Sequence, residues 1–389
     1  MPPTTRIRSI DFLRGLVMII MALDHTRDLF HASAFTLDPL DLKATTPFLF
    51  FTRWITHFCA PVFVFLSGTS AFLQSLRKPS RQLRWFLFTR GLWLIVAELL
   101  IVTLGISFDI YYHSLIFQVI WAIGISMVLL SVIIRLPFSV VLALGLLIVC
   151  GHNLLDFLEV PGQTAPVWLQ GVHQQAFIPV TNRLTLVFFY PFLPWVGIMV
   201  LGYCFGKVYT LEPQERKKII LRMGLGCIAA FVLLRFLNGY GDSRPWSVQP
   251  SFLYSVMSFV NTQKYPPSLL YFLMTIGPAM IVLAWSENLR NRFSSFAMVY
   301  GNVPFFYYIA HFYLIHLVSA ILFLLRGHSV ERGMEGTPNL PFKFLIPGEG
   351  YSLGIVYLVW ILIVLFLYPL CRAYGQYKRN HHYAWLSYL

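Results

Sequence analysis

Charged residues are scarce in this chain. Lys, Arg, Asp and Glu make up 12% of its 389 residues, where a soluble domain carries about a quarter, so an ordinary water-exposed surface is excluded. Cysteine is scarce too: Cys59, Cys150, Cys204, Cys227 and Cys371 show no metal spacing and provide no disulfide framework. No zinc motif, phosphate-binding loop, nucleophile elbow or dinucleotide fingerprint occurs, and no metal is expected. There is no low-complexity tract, and no inverted repeat of the kind that marks secondary transporters.

What fills the chain instead is apolar. Hydrophobic residues reach 57%, with 35 Phe, 20 Tyr and 10 Trp, and the mean hydropathy is +0.68. Runs long enough to cross a bilayer, about 20 residues each, fall at 10–30, 47–75, 84–107, 114–134, 137–155, 187–209, 217–239, 268–286, 296–325 and 351–371. The expected fold is all-α, a polytopic membrane helix bundle of about ten spans. A re-entrant or interfacial segment near 162–186 is the candidate for an eleventh. One domain over 1–389 is the simplest division.

Lys and Arg set the orientation. Arg6 and Arg8 precede the first span, and Arg77-Lys78-Pro-Ser-Arg81-Gln-Leu-Arg84 joins the second to the third. Later bases on the same side include Arg135, Lys207, Arg216, Lys217, Lys218, Arg222, Arg290, Arg292, Arg372, Lys378 and Arg379. The opposite connections mix fewer bases with acids such as Asp109, Asp156 and Glu159. Both termini are therefore expected in the cytoplasm, the N-terminus is read as retained, and the inner membrane is the expected location. The net charge of +13 is dealt out among these loops, which fits topogenesis and anionic lipid better than nucleic acid. Membrane lipids are the expected partners, and a homodimer is left open.

The first span is unlike the others. Its apolar centre, Leu16 to Leu23, is flanked by Asp11 and Arg14 before and by Asp24, His25, Arg27, Asp28 and His31 after. Charge at membrane depth costs at least ~2.5 kcal/mol per residue and usually marks function. At about 100° per residue, Asp11, Arg14, Met18 and His25 share one stripe, and Asp24 and His31 share another. Arg14 and His31 are separated by ~25 Å of helix, so one helix reaches both sides of the membrane. Two readings stand beside each other: Asp11 with Arg14 as a structural ion pair, or a functional polar path.

Other spans add fewer groups. His57, four residues before Pro61, is a pocket candidate, and Ser67-Gly68 permits close helix contact. His311 and His316 share a span, but their spacing puts them on different faces and disfavours a joint metal site. Glu98 is expected to pair with Arg90 or a histidine. The residues alone leave two chemistries open: proton-coupled transport or export of a lipid-linked saccharide, or group transfer with histidine as general base or transient nucleophile.

The opening Arg6-Ile-Arg8-Ser-Ile-Asp11-Phe-Leu-Arg14-Gly15, followed by an apolar run ending Met-Ala-Leu-Asp24-His25, resembles bacterial membrane proteins related to heparan-alpha-glucosaminide N-acetyltransferase. The likeness continues at His31-Ala-Ser, Pro61 to Gly68, Tyr190 to Gly197 and Gly301 to His316. It implies an integral-membrane acyltransferase that takes acetyl from cytosolic acetyl-CoA and delivers it to a saccharide amine across the membrane. The family's active-site histidine, at the outer end of the first helix, matches His31, although the spacing to it is shorter here. The broader group of membrane acyltransferases that modify surface polysaccharides points elsewhere: its Arg-Gly pair precedes an essential histidine by an interval that Gly15 to His25 keeps. His25 and His31 thus compete for one role.

The expected chemistry needs a neutral histidine as base, held in one tautomer by a carboxylate, Asp24 or Asp28. CoA phosphates need a positive mouth, for which Arg14, Arg77, Lys78, Arg81, Arg84 and Arg90 are candidates. Asp11, His57 and His311 are placed as pocket groups. Trp168, Tyr240 and Trp246 on the outer side suit stacking on the sugar of an envelope acceptor, whose acylated group is an amine or a hydroxyl.

Overall fold

The computed structural model describes residues 7–158, 166–337, 340–381, 383 and 386; Arg6 and Glu159 lie outside them. The described residues form α1 (Arg8–Phe30), α2 (Pro47–Ser75), α3 (Ser80–Ser107), α4 (Val119–Ile133), α5 (Phe138–Leu158), α6 (Phe192–Thr210) and α7 (Pro213–Leu237). They continue with α8 (Phe252–Val260), α9 (Leu269–Ser286), α10 (Arg292–Gly301), α11 (Pro304–Leu325), α12 (Val330–Glu335) and α13 (Leu353–Asn380). Three short strands, β1 (Ser114–Phe117), β2 (Ala176–Thr181) and β3 (Leu184–Phe188), form a sheet in the order β1-β3-β2.

This is a polytopic helical membrane protein. Eight helices, α2, α3, α5, α6, α7, α9, α11 and α13, are long and apolar enough to cross a bilayer. α1, with 23 residues, is long enough at 1.5 Å per residue but carries too much charge to qualify by composition. Its surroundings explain the tolerance: α1 packs against α2, α9, α10, α11 and α13, so its ionic groups face protein rather than lipid. α4, at 15 residues, is short because β1 takes the start of the expected 114–134 run.

Two further boundaries differ from expectation. The 296–325 run is two helices, broken at Asn302-Val303 before Pro304, which starts α11 at a position where its missing N–H costs nothing. The 162–186 region adds no helix among its described residues; β2 pairs antiparallel with β3 there, and β1 adds in parallel. The β-branched and aromatic residues of Phe177 to Phe188 suit that ladder.

Small residues bring α1 and α10 into backbone contact. A Cβ on Gly15 would lie 1.9 Å from the carbonyl oxygen of Ala297, and one on Gly301 would lie 1.9 Å from that of Asp11. Gly68 of α2 meets α6 in the same way, where an added Cβ would sit 2.0 Å from the Met199 carbonyl oxygen. Pro61 cannot donate to the carbonyl of His57. That carbonyl accepts the Tyr271 hydroxyl of α9 instead, at 2.8 Å, and a 3₁₀ turn at Thr56–Phe58 marks the break.

Candidate active site

Three adjoining cavities follow α1 along the bundle. The first, about 390 Å³, is lined by Arg14, Met18, Ser67, Ser70, Gln74, Lys78, Arg90, Pro304 and Tyr308 among largely apolar neighbours. A second, about 100 Å³, is lined by Met21, Asp24, His25, Asp28, Arg53, Gln118, Tyr190, Lys264 and Tyr265. The third, about 160 Å³, is lined by Arg27, Asp28, His31, Ser33 and Leu37. Phe63, Val119 and Tyr308 border both the first and the second, and Asp28 borders both the second and the third. Arg14, Met18, Met21, His25 and Asp28 recur every three or four residues, so one stripe of α1 faces this path.

The middle cavity is organised by two histidines. His25 Nδ1 lies 2.7 Å from His311 Nε2, and His311 Nδ1 lies 2.9 Å from the Tyr307 carbonyl oxygen. A carbonyl only accepts, so the neutral His311 carries its proton on Nδ1 and offers a lone pair at Nε2. The His25 Nδ1–H donates to that lone pair, which leaves His25 Nε2 bare. Stacking of the His25 ring on Phe312, with centroids 4.0 Å apart, fixes its plane. The carboxylate expected to hold this ring is therefore replaced by His311. Asp24 is engaged elsewhere: it pairs with Arg27 at 3.1 Å and closely with Arg53, while Asp28 pairs closely with Arg27.

His31 presents the opposite face of histidine chemistry. Its Nδ1 accepts from the Ser33 backbone N–H at 3.2 Å and lies 2.8 Å from the Ser33 hydroxyl, so the neutral ring carries its proton on Nε2. Burial, followed by the nearby Arg27 charge, lowers its pKa below the ordinary 6.5. His31 thus offers an N–H donor, where His25 offers a lone pair.

The remaining expected groups separate cleanly. Arg14, Lys78 and Arg90 line the first cavity, whereas Arg77, Arg81 and Arg84 are not among its lining residues; Arg77 and Arg81 are exposed. Asp11 forms the ion pair with Arg14, at 3.4 Å, and is not among the lining residues of the three cavities. His57 is fully buried edge-on to Tyr271, borders none of the three cavities, and neither ring nitrogen has a hydrogen-bond partner among the described residues. Glu98 pairs with neither Arg90 nor a histidine in the hydrogen bonds described; its Oε2 accepts from the Trp121 N–H at 3.0 Å, capping the start of α4. His316 faces away from His311, 2.9 Å from the Lys343 carbonyl oxygen and stacked on Phe108. No group of three or more His, Cys, Asp or Glu able to hold a metal occurs among the described residues.

Sequence reasoning missed Arg53, Gln118, Tyr190, Lys264, Tyr265 and Tyr308. Arg53 had a signal, being a charge inside the apolar 47–75 run. Lys264 and Tyr265 had none, because they reach the cavity from a connection between α8 and α9 that no motif ties to α1.

Fold and cavity together define a polytopic membrane protein with a histidine-centred polar path buried along its first helix. The family model for the catalytic domain of heparan-alpha-glucosaminide N-acetyltransferase matches residues 6–234, and the chain belongs to that family. No curated protein matches the chain closely enough to count as a relative. The matched region runs from the start of α1 to near the end of α7, so it contains Arg14, His25, His31, Arg53, Lys78 and Arg90 and stops short of Lys264, Tyr308 and His311.

Proposed function

We propose that this protein transfers an acyl group, acetyl in the simplest case, from a cytosolic acyl-CoA to an amine or hydroxyl of a cell-envelope saccharide on the far side of the inner membrane. The observation that carries this reading is the bare Nε2 of His25, held by His311 at a cavity that lies between one beside Arg14 and one beside His31, toward opposite ends of α1. Arg14, Lys78 and Arg90 suit the phosphates of CoA, and the apolar lining beside them suits its pantetheine arm. His25 Nε2 takes the proton from the acceptor as its nitrogen or oxygen attacks the thioester carbonyl. The carbon–sulfur bond then breaks, and the same proton passes from His25 to the departing sulfur. Lys264 and Arg53 place positive charge beside the reacting centre. His31 and Asp28, at the outer cavity, orient the hydroxyls of the acceptor.

Purified protein with radiolabelled acetyl-CoA and envelope glycans tests the proposal. Thioester consumption with label on the glycan is expected. No hydrolysis, no self-labelling and no transfer would sink it, and saccharide movement into vesicles without thioester turnover would favour a transporter.

A further inference from the structure

Tyr308 is buried, at 2% exposure, and its hydroxyl has no hydrogen-bond partner among the described residues. A buried tyrosine hydroxyl usually finds a partner, and leaving one unpartnered costs about 1–3 kcal/mol. Folding alone gives no reason for that cost, but position does. Tyr308 borders both the cavity of Arg14 and the cavity of His25. It also lies one turn before His311 on the same side of α11, the residue that holds His25. A thioester whose CoA lies on the Arg14 side must bring its carbonyl carbon to this boundary to meet a nucleophile deprotonated at His25.

We propose that the Tyr308 hydroxyl donates a hydrogen bond to the oxyanion formed at that carbonyl, which makes it a catalytic residue of the reaction proposed above; the inference rests on that reading. As the acceptor's nitrogen or oxygen bonds to the carbonyl carbon, the π pair moves onto oxygen, where the phenol meets it. Collapse returns the pair to carbon and oxygen, expels the CoA sulfur, and sends the proton on His25 to that sulfur. Tyr308 keeps its own proton throughout. A donor aimed at the oxygen in a dry site is worth more than the same bond in water.

The test is Tyr308→Phe, which removes the hydroxyl and keeps the ring. Expected is a kcat lower by about 10²–10³-fold with CoA affinity unchanged and a melting temperature at or above that of the wild type. Tyr374→Phe, which removes another buried hydroxyl without a partner among the described residues, on a side chain that lines none of the three cavities, is the control and leaves kcat at the wild-type value. A Tyr308→Phe protein with wild-type kcat overturns the inference. So does one that loses CoA binding or melts markedly lower, since either assigns the residue to packing. A wild-type protein that never consumes acetyl-CoA overturns the transfer reading instead.

Discussion

His25 Nδ1 and His311 Nε2 are 2.7 Å apart, on helices separated by most of the chain. One histidine fixes the tautomer of the other, and the second is fixed in turn by a main-chain carbonyl. In the transfer proposed above, this arrangement takes the place of a base-orienting carboxylate without adding a negative charge to a membrane interior, where an uncompensated charge is costly.

That relationship predicts non-additive kinetics. His25→Ala is expected to lower kcat by about 10²–10⁴-fold, the range for losing a general base. His311→Ala, which leaves the His25 ring free to turn, is expected to lower kcat less and to leave the KM for acetyl-CoA unchanged. Groups acting as a unit do not add, so the double variant should match His25→Ala. Steady-state rates of the three variants decide this; a double variant slower by the product of both effects would separate the two histidines.

A buried charge cluster predicts a stability effect. The side chains of Asp24 and Arg27 are 9% and 6% exposed, and Arg53 is 14% exposed. Asp24→Ala strands the Arg53 guanidinium, while Arg27 keeps Asp28, and removing one partner of a buried pair costs about 3–5 kcal/mol. Arg53→Met added to Asp24→Ala should recover part of the loss by removing the stranded charge. Unfolding in detergent measures both, and an Asp24→Ala protein as stable as wild type would contradict the ion-pair role.

Much of this was legible in the sequence, and the missing parts share a cause. The stripe Arg14, Met18, His25 is read directly from helical periodicity, and the spans from apolar runs, because both are local properties of the chain. The partner of His25 is not local. His311 comes to it through the packing of distant helices: Gly15 and Gly301 let α10 touch α1, and α11, which follows α10, packs beside α1. The carboxylates Asp24 and Asp28 looked like orienting groups because they lie close to His25 in sequence, yet Asp24, its immediate neighbour, points to another side of the helix, Asp28 shares its stripe, and Arg53 and Arg27 claim both carboxylates. The 114–117 and 176–188 strands were missed for the same reason: their ladder joins segments far apart in the chain.

Acidification should destabilise the protein through His173. This residue lies in the connection between α5 and α6, outside the spans, and is fully buried; burial pushes its pKa from 6.5 down to about 4. The unfolded chain therefore binds more protons than the folded one between those values, so stability present at pH 7 is lost as pH falls from about 6.5 toward 4. His31, also lowered, acts in the same direction. Melting temperature followed from pH 7 to pH 4.5 should fall, and His173→Gln should flatten that dependence. An unchanged acid slope in the variant would remove His173 from the account.

The contact between α1 and α10 carries the whole path, because Arg14 reaches the Gly301 carbonyl oxygen at 3.4 Å just where the two backbones meet. A methyl group on Gly15 would collide with main chain, not with a side chain able to swing away, and such overpacking costs about 1–3 kcal/mol. Gly15→Ala is thus expected to lower the melting temperature and to weaken CoA binding by displacing Arg14. Gly226→Ala in α7 is the matched contrast. An added Cβ there meets nothing within 4 Å, and alanine is favoured over glycine in a helix by about 0.8–1.0 kcal/mol, so that variant should melt at or above the wild-type temperature. If Gly15→Ala proves as stable as Gly226→Ala, the two helices do not touch through their backbones, and the seating of His311 beside His25 needs another explanation.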